Sequence, residues 1–440
     1  MTAGRLPGDG CGIDWIRDRE VECASIEAVA AVAEAAWREQ RRHLAQSDFY
    51  RARLGADLEK ATLADLPRLP FTTKAELKVA LDEAPPFGTN LCVPEQAVKR
   101  VYQTSGTTGS PSVLALTAPD ADVWTAIGAR SYYATGLHEH ASVLSTFGAG
   151  PFVAGHTHLS VAEVGARSVP VGPGDTARVL FALQAGLADT LLATPSFAQH
   201  LANRSDGAAA SPALTHVITG GEPGGGIPAV RDHIEQVLGV TVTEVMGIGD
   251  LAPSLFGECP EQQGMHFCGT GLIWPELVDL ETREPIEIET GAVGELVYTH
   301  LRREAMPVVR FLSGDIVRIE GTSCACERTS FRMRCIGRRD DMLIVRGVNV
   351  YPSAVLDVIG EFRPRVTGRA RVVRAGGSVS VEPPIPVEIE IPAETPTDAA
   401  LAAEIEAAIR SRLIFRARVD LVPEDRFGDA GYKTRLSRSE

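Results

Sequence analysis

DTLLATPSFAQHLAN (189–203), followed by THVITGG (215–221), reads as strand, helix, strand. The two outer segments are short apolar runs bounded by turn residues, and a helical pattern separates them. The same alternation extends outward: ASVLSTF (141–147) and TARVLFALQAGL (176–187) precede it, and AVRDHIEQVLG (229–239) follows. Strands separated by helices imply a largely parallel sheet covered on both faces. Further toward the N-terminus, SIEAVAAVAEAAWREQRRHL (25–44) suits an amphipathic helix with Arg41 and Arg42 near its C-terminal end. In LPFTTKAEL (69–77), Thr73 and Glu76 stand at capping-box spacing, so a helix starts at Thr73.

From about 290 the pattern changes to GELVYTH (294–300), MPVVRFL (306–312) and DIVRIEG (315–321), which suggests a more antiparallel subdomain. After GRRDD (337–341) the chain reads strand (LIVRG), helix (PSAVLDVIGEF), two strands (RARVVRA, PVEIEI), helix (AALAAEIEAAIRSRL) and strand (ARVDLV). Leu401, Ile405, Ala408, Ile409 and Leu413 share one face of that last helix. The expected fold class is α/β. A large N-terminal domain over 1–339 has mixed and parallel sheets flanked by helices, and a small α+β domain over 340–440 has its own core. The boundary falls at Asp340.

The 440 residues carry 44% hydrophobic and 23% charged residues, ordinary globular values that exclude a disordered or fibrous chain. A formal charge of -14 disfavours a broad nucleic-acid or anionic-membrane surface but leaves room for a local basic pocket around a polyphosphate. No run of about 18 apolar residues occurs, and the start, MTAGRLPGDGCGIDW, lacks a basic segment followed by an apolar one. The expectation is a cytoplasmic protein that neither spans nor binds a membrane. Eight cysteines are too sparse for a disulfide scaffold. Cys11, Cys23 and Cys92 read as isolated thiols and Cys335 as core.

TSGTTGSPSVLALT (104–117) concentrates hydroxyls and glycines between Thr104 and Gly109. Backbone amides and side-chain donors there can converge on phosphate oxygens, because glycine permits close approach. The alternative is a plain surface loop, and no Walker A lysine follows at the required spacing. Cys259 and His266 (C-x6-H) with Cys324 and Cys326 (C-x-C) make a complete tetrahedral donor set for structural Zn²⁺ within 259–326, against the alternative of unliganded thiols. Cys268 is a substitute ligand.

The chain resembles the phenylacetate-coenzyme A ligase branch of the acyl-adenylate-forming superfamily. The resemblance rests on LPFTTKAEL, QTSGTTGSPSV, LATPSF, TGGEP, the stretch from MGIGD to GECPEQQGMH, GELVYTH, SGDIVRI and IGRRDDMLIVRGVNVYPS, in the family's order over about 65–355. It implies that Ser105, Gly106, Thr107, Thr108 and Gly109 grip phosphates and that Gly221, Glu222 and Pro223 flank the adenine. Asp250 falls where a glutamate helps to hold Mg²⁺, and Asp315 matches the acid that accepts from both ribose hydroxyls. Arg338 joins the nucleotide site and Asp340 is the hinge of a mobile small domain. Lys433 resembles the mobile lysine that contacts the acid and the α-phosphate. Similar ligases carry a comparable Cys/His set. FGAGPFVAGH (147–156) resembles the segment lining the acyl site, so Phe147, Phe152 and Gly155, with Met246 and Gly247, are the implied substrate walls. His156 and His158 are read as contacts for the acid, as a metal pair, or as ordinary loop residues.

Four positions depart from the family's pattern: Ser110 stands for a basic residue, Met246 for an aromatic, Asp250 for a glutamate and Leu312 for an arginine. The implied reaction uses ATP, Mg²⁺ and coenzyme A to activate a small, aromatic carboxylic acid as its acyl-AMP and pass it to the coenzyme A thiol. Two other readings stay open. One is an adenylating enzyme of secondary metabolism with an amine, a carrier-protein thiol or a nitrogen oxyacid as acceptor; the other is a nucleotide-binding homologue with altered catalysis. A homodimer follows by family analogy only.

Overall fold

The apolar runs that open the reading do become strands, and their alternation decides which helices cover them. The computed structural model describes residues 16–55, 58, 60–104, 112–150, 152–204, 211–345, 348–374, 383–413, 415–424, 426–427 and 437–439. The N-terminal helices are α1 (Arg19–Glu22), α2 (Ile26–Leu44), α3 (Asp48–Leu54) and α4 (Lys74–Glu83). Ser25 caps α2 by accepting from Ala28 N–H, and Thr73 caps α4 in a capping box with Glu76. A hairpin follows, β1 (Arg100–Gln103) with β2 (Val113–Leu116).

Next come α5 (Ala118–Ala134), β3 (Ser142–Ser145), α6 (Thr157–Val164), β4 (Arg167–Pro170), α7 (Thr176–Gln184), β5 (Thr190–Ala193), α8 (Pro195–Asn203), β6 (His216–Thr219), α9 (Pro228–Leu238) and β7 (Thr241–Ile248). β4, β3, β5, β6 and β7 are parallel neighbours in that order. Alternate side chains leave opposite faces. Leu144, Leu191, Val217 and Val242 pack under α7, α8 and α9, while Val143, Leu192, Ile218 and Val245 pack under α5 and α6.

The antiparallel strands are β8 (Ala252–Glu258), β9 (Met265–Phe267), β10 (Ile273–Val278), β11 (Pro285–Ile286), β12 (Val293–His300), β13 (Phe311–Gly321) and β14 (Arg332–Arg338). The change of strand direction comes earlier than the sequence suggests. It falls at β7, which pairs parallel with β6 and antiparallel with β8, so both patterns belong to one twelve-stranded sheet. A tight Gly249–Leu251 connection permits it, with Leu251 N–H donating to Ile248 O at 2.8 Å.

The C-terminal region comprises β15 (Leu343–Val345), β16 (Val348–Val350), α10 (Pro352–Gly360), β17 (Ala370–Arg374), β18 (Ile385–Ile391), α11 (Ala399–Leu413), β19 (Ala417–Pro423) and β20 (Ser437–Ser439). Its four-stranded sheet has the order β19-β18-β17-β20. Leu401, Ile405 and Ile409 are buried on α11 against Val387, Ile389 and Val355. β20, a polar strand pairing parallel with β17, carries no apolar pattern that sequence reading could use. No helix among the described residues is long and apolar enough to cross a membrane.

Candidate active site

The β1–β2 hairpin fixes the two points between which the hydroxyl-and-glycine loop runs. Beyond the Gln103↔Val113 pair, Thr104 N–H donates to Ser112 O at 3.0 Å, and Thr104 Oγ1 accepts from Ser112 N–H at 3.3 Å. Ser105, Gly106, Thr107, Thr108, Gly109 and Ser110 lie outside the described residues, as does Lys433. Thr104 itself rests on Gly249, where a Cβ would come within 2.9 Å of its Cγ2. The next residue, Asp250, is buried at the end of β7, and its Oδ2 has no hydrogen-bond partner.

Lys74 reaches that carboxylate. Its Nζ lies 3.6 Å from Asp250 Oδ2, and its charge also acts on Asp315. Local pairing puts it there. Thr72 adds to β13 by accepting from Leu312 N–H and donating to Arg310 O, both at 2.9 Å, and its hydroxyl donates to Val309 O at 2.6 Å. The Thr73 capping box then starts α4, with Lys74 as its first residue. A cation at a helix N-terminus opposes the helix dipole, so the two buried acids, not the helix, favour a lysine there. Sequence reading used Thr73 and Glu76 to start the helix and passed over Lys74; a lysine directly after an N-cap was the available signal.

Asp315 and Arg338 face each other across β13 and β14, with Arg338 Nη1 donating to Asp315 Oδ1 at 2.7 Å. Asp315 Oδ2 is buried and has no hydrogen-bond partner. Burial pushes the Asp315 carboxyl up, and the Arg338 charge opposes that rise. Arg338 Nε also donates to Asp340 Oδ1 at 3.0 Å, so Asp315, the candidate ribose acid, and Asp340, the hinge candidate, share one guanidinium. Asp315 above all, then burial acting oppositely, sets the net upward shift of Arg338. Arg303 is buried 3.8 Å from Asp120 and 5.0 Å over the Trp124 ring, and its charge extends to Asp250. Leu312 points into an apolar cluster with Phe71, Val278 and Val297 and leaves no cation at that position.

The adenine-flanking candidates form a turn. Gly221 has φ +89°, and a Cβ on it would lie 3.5 Å from the Phe147 ring, so Phe147 and Gly221 are brought together. Glu222 Oε1 accepts from Ser196 N–H at 2.9 Å at the start of α8. Beneath the turn, Glu244 accepts from Gly226 N–H, and Arg334 donates to Gly226 O. Burial first, and the neighbouring Glu258 second, push the Glu244 carboxyl up to about 7. Neither Glu244 nor Arg334 was singled out from sequence.

The residues implied as substrate walls differ in exposure and packing. Phe147 is buried, whereas Phe152 is exposed and bridges to Gln103. Gly155 packs on its own loop, where a Cβ would come within 2.9 Å of Gly150 O. Met246 packs on the main core, and Gly247 permits the close approach of β7 to Pro253 O. His156 and His158 are not a metal pair. His156 is buried with Nδ1 3.2 Å from the Tyr102 hydroxyl and Nε2 2.9 Å from Thr125 Oγ1, and burial pulls it down to about 4. His158 Nε2 donates to Phe147 O at 2.9 Å.

Cys259, His266, Cys324 and Cys326 converge, with all four ligand atoms within 4.8 Å of one another. Cys259 ends the β8 hairpin, His266 lies on β9 paired with Arg332 of β14, and the two remaining thiols sit between β13 and β14. Cys259 Sγ is 3.6 Å from Cys324 Sγ, and Cys326 Sγ is 3.3 Å from His266 Nε2. Hydrogen bonding from Cys259, reinforced by His266 against the effect of burial, draws the Cys326 thiol well below its ordinary value. His266 Nδ1 faces Ser330 O at 3.3 Å, which fixes the tautomer that turns Nε2 to the thiols. Three sulfurs and one nitrogen at this spacing fit a tetrahedral zinc ion. Cys268 stays outside the group and donates to His266 O.

No family model matches the chain. The chain is 37% identical over 337 residues to a phenylacetate-coenzyme A ligase of Thermus thermophilus, a match spanning 75% of this chain and 73% of that one. It is 34% identical over 308 residues to the phenylacetate-coenzyme A ligase of Escherichia coli, 68% of each chain. A 2-hydroxyisobutyryl-CoA ligase in its postadenylation state superposes with a TM-score of 0.86 at 23% identity, covering 99% of this chain and 94% of that one. The same ligase in its thioesterification state, with acyl-AMP and CoA, gives 0.68 at 25% identity over 96% and 92%.

Proposed function

The chain belongs to the phenylacetate-coenzyme A ligase family of adenylate-forming enzymes, and from its site we propose how individual residues serve that reaction. It is an ATP-dependent acid-CoA ligase. A carboxylate oxygen attacks the α-phosphorus of ATP and pyrophosphate leaves. The coenzyme A thiolate then attacks the acyl carbon, releasing AMP and forming the thioester.

The observation that carries the residue assignment is Lys74, held beside Asp250 and acting on Asp315 next to the entry of the 105–109 loop. In this reading Asp315 accepts from the ribose hydroxyls through its unpartnered Oδ2, with Arg338 holding the carboxylate in place. Gly221, Glu222 and Pro223 flank the adenine. Ser105, Gly106, Thr107, Thr108 and Gly109 hold the phosphates, and Lys74 supplies positive charge that Ser110 and Leu312 no longer provide. Lys433 completes the adenylation site. Charge neutralisation and positioning supply most of the rate in phosphoryl-type transfer. Asp250 Oδ2, which has no hydrogen-bond partner and faces Lys74 at 3.6 Å, suits a hard-oxygen metal ligand, and Mg²⁺ held there would neutralise phosphate charge.

Phe147 against Gly221 supports an aromatic or other flat acid. The Cys/His group holds a structural zinc with no open position and takes no part in the chemistry. The region beyond Asp340 rotates between the half-reactions, and its present arrangement is the one that superposes better on the postadenylation state. The cytosol, which holds ATP and coenzyme A, is the location this reading requires.

Pyrophosphate release over a panel of aryl and alkyl acids, with and without coenzyme A, tests the proposal. Thioester formation with an aryl acid is expected. A second reading, a non-CoA acceptor, is favoured by the two missing cations at Ser110 and Leu312. Acyl-AMP formed without discharge by coenzyme A, but discharged by an amine or carrier thiol, would establish it instead.

A further inference from the structure

One helix, α8, touches the nucleotide side at its start and the C-terminal region at its end. Its Ser196 N–H donates to Glu222 as described, and at the other end Asn203 makes three hydrogen bonds. Asn203 Oδ1 accepts from His233 Nε2 on α9 at 2.7 Å and from Arg363 Nη1 at 3.2 Å; its Nδ2 donates to Thr367 O at 3.2 Å. Two of these partners lie beyond Asp340 and one before it.

The grip is on a fixed part of the C-terminal region. Thr367 Oγ1 donates to Glu390 Oε2 on β18 at 2.8 Å, and Arg369 pairs with Glu390 Oε1 at 3.1 Å. The Arg363 guanidinium lies across Gly368, where a Cβ would come within 1.9 Å of Nη2. Arg363 Nε and Nη2 are buried without hydrogen-bond partners, so Asn203 Oδ1 is the one acceptor its side chain meets among the described residues. Burial lowers its pKa to about 10, in line with a cation poorly served where it stands. Beside the contact, a narrow cleft between α8 and the C-terminal region is lined by Ser196, Gln199, Glu222, Leu356 and Arg369.

We propose that Asn203 is a latch, a positioning residue that holds the C-terminal region in the arrangement serving adenylation and lets go before acyl transfer. The inference rests on the reading that this region rotates between the half-reactions. Rotation separates Arg363 and Thr367 from Asn203 together, because both move and Asn203 does not. It leaves Asn203 bonded to His233, so the latch stays set for the return. Two such bonds, exchanged for bonds to water, shift a two-state balance by about tenfold, enough to bias it and too little to lock it. Through α8 the latch shares its support with Glu222, which ties the orientation of the C-terminal region to the adenine turn.

The test uses the full-length enzyme and the acid that gives wild type its fastest ATP–pyrophosphate exchange. Asn203→Ala is expected to lower that exchange about tenfold, leave the Kd for ATP unchanged, and leave coenzyme A-dependent discharge of bound acyl-AMP equal or faster. Arg363→Gln should give the same split from the other side, and the double variant should fall no further than either single one. Equal loss in both half-reactions, or unchanged exchange in a variant that melts like wild type, overturns the latch. If Asn203→Ala does not fold, Arg363→Gln decides alone. Should wild type exchange pyrophosphate while coenzyme A discharges nothing, the choice of acceptor has failed, and the latch is judged on exchange.

Discussion

The Cys259–His266–Cys324–Cys326 group and the Asp250–Asp315–Lys74 group are both knots of titratable side chains on the same sheet. They are built on opposite terms. In the first, four ligand atoms turn toward one another within 4.8 Å, and the imidazole's far nitrogen is tied to a backbone carbonyl. In the second, each carboxylate keeps one buried oxygen without a hydrogen-bond partner, and the cation between them is half-exposed. A buried acceptor left bare costs folding energy, and such deficits persist where a substrate repairs them. In the proposed reading the closed group is a fastener and the open one takes a ligand that comes and goes.

That contrast is sharpest where one residue is removed from each. Asp315→Ala should cut kcat/KM for ATP by roughly 10²–10³-fold through lost charge-assisted hydrogen bonds, with little change in Tm. An adenylation rate within threefold of wild type breaks the assignment. Cys324→Ser should do the reverse, lowering Tm by roughly 5–10 °C while the surviving folded enzyme keeps its KM values. Elemental analysis of fresh protein should find about one zinc per chain; metal-free protein with an unshifted melting curve removes the fastener.

Lys74→Ala should raise KM for ATP about tenfold and leave Tm equal or slightly higher, since a lysine at a helix N-terminus works against the dipole. A fall in Tm with unchanged KM would make Lys74 scaffold. The smallest effect on catalysis belongs to Glu244. Its carboxyl is raised from the ordinary 4.5 to about 7, so its contribution to folding is complete below about pH 4.5 and is lost as pH climbs through 7, the unfolded chain ionising first. Glu244→Gln should be near neutral at pH 5 and more stable than wild type at pH 8, by up to about 3 kcal/mol. Denaturation at the two pH values checks the sign.

The strands and crossover helices of 141–239 were legible because period and punctuation are local: Leu191 and Leu192 already say that both faces are covered. The place where strand direction reverses was not, because nothing in TVTEVMGI tells a strand that its two neighbours run opposite ways. The donor set around His266 could be picked out by residue type, yet its convergence depends on β9 meeting β14. Lys74 was hidden by distance, as its acids lie far along the chain and come together only once Thr72 joins β13. The nucleotide roles came from resemblance rather than from residue chemistry and stand as proposals, and the Ser105–Gly109 loop and Lys433 also lie outside the described residues.

β7 carries one more consequence. On one side its neighbours require long crossover helices, and on the other only short reversals, so any change to its first half disturbs the packing of α7, α8 and α9. Its last residues and the turn beyond them, 246–250, pack instead on the antiparallel half and on Thr104. A lineage can therefore edit that short corner while the parallel half of the sheet stays under its old packing constraints. The departures at Met246 and Asp250 fall within that corner.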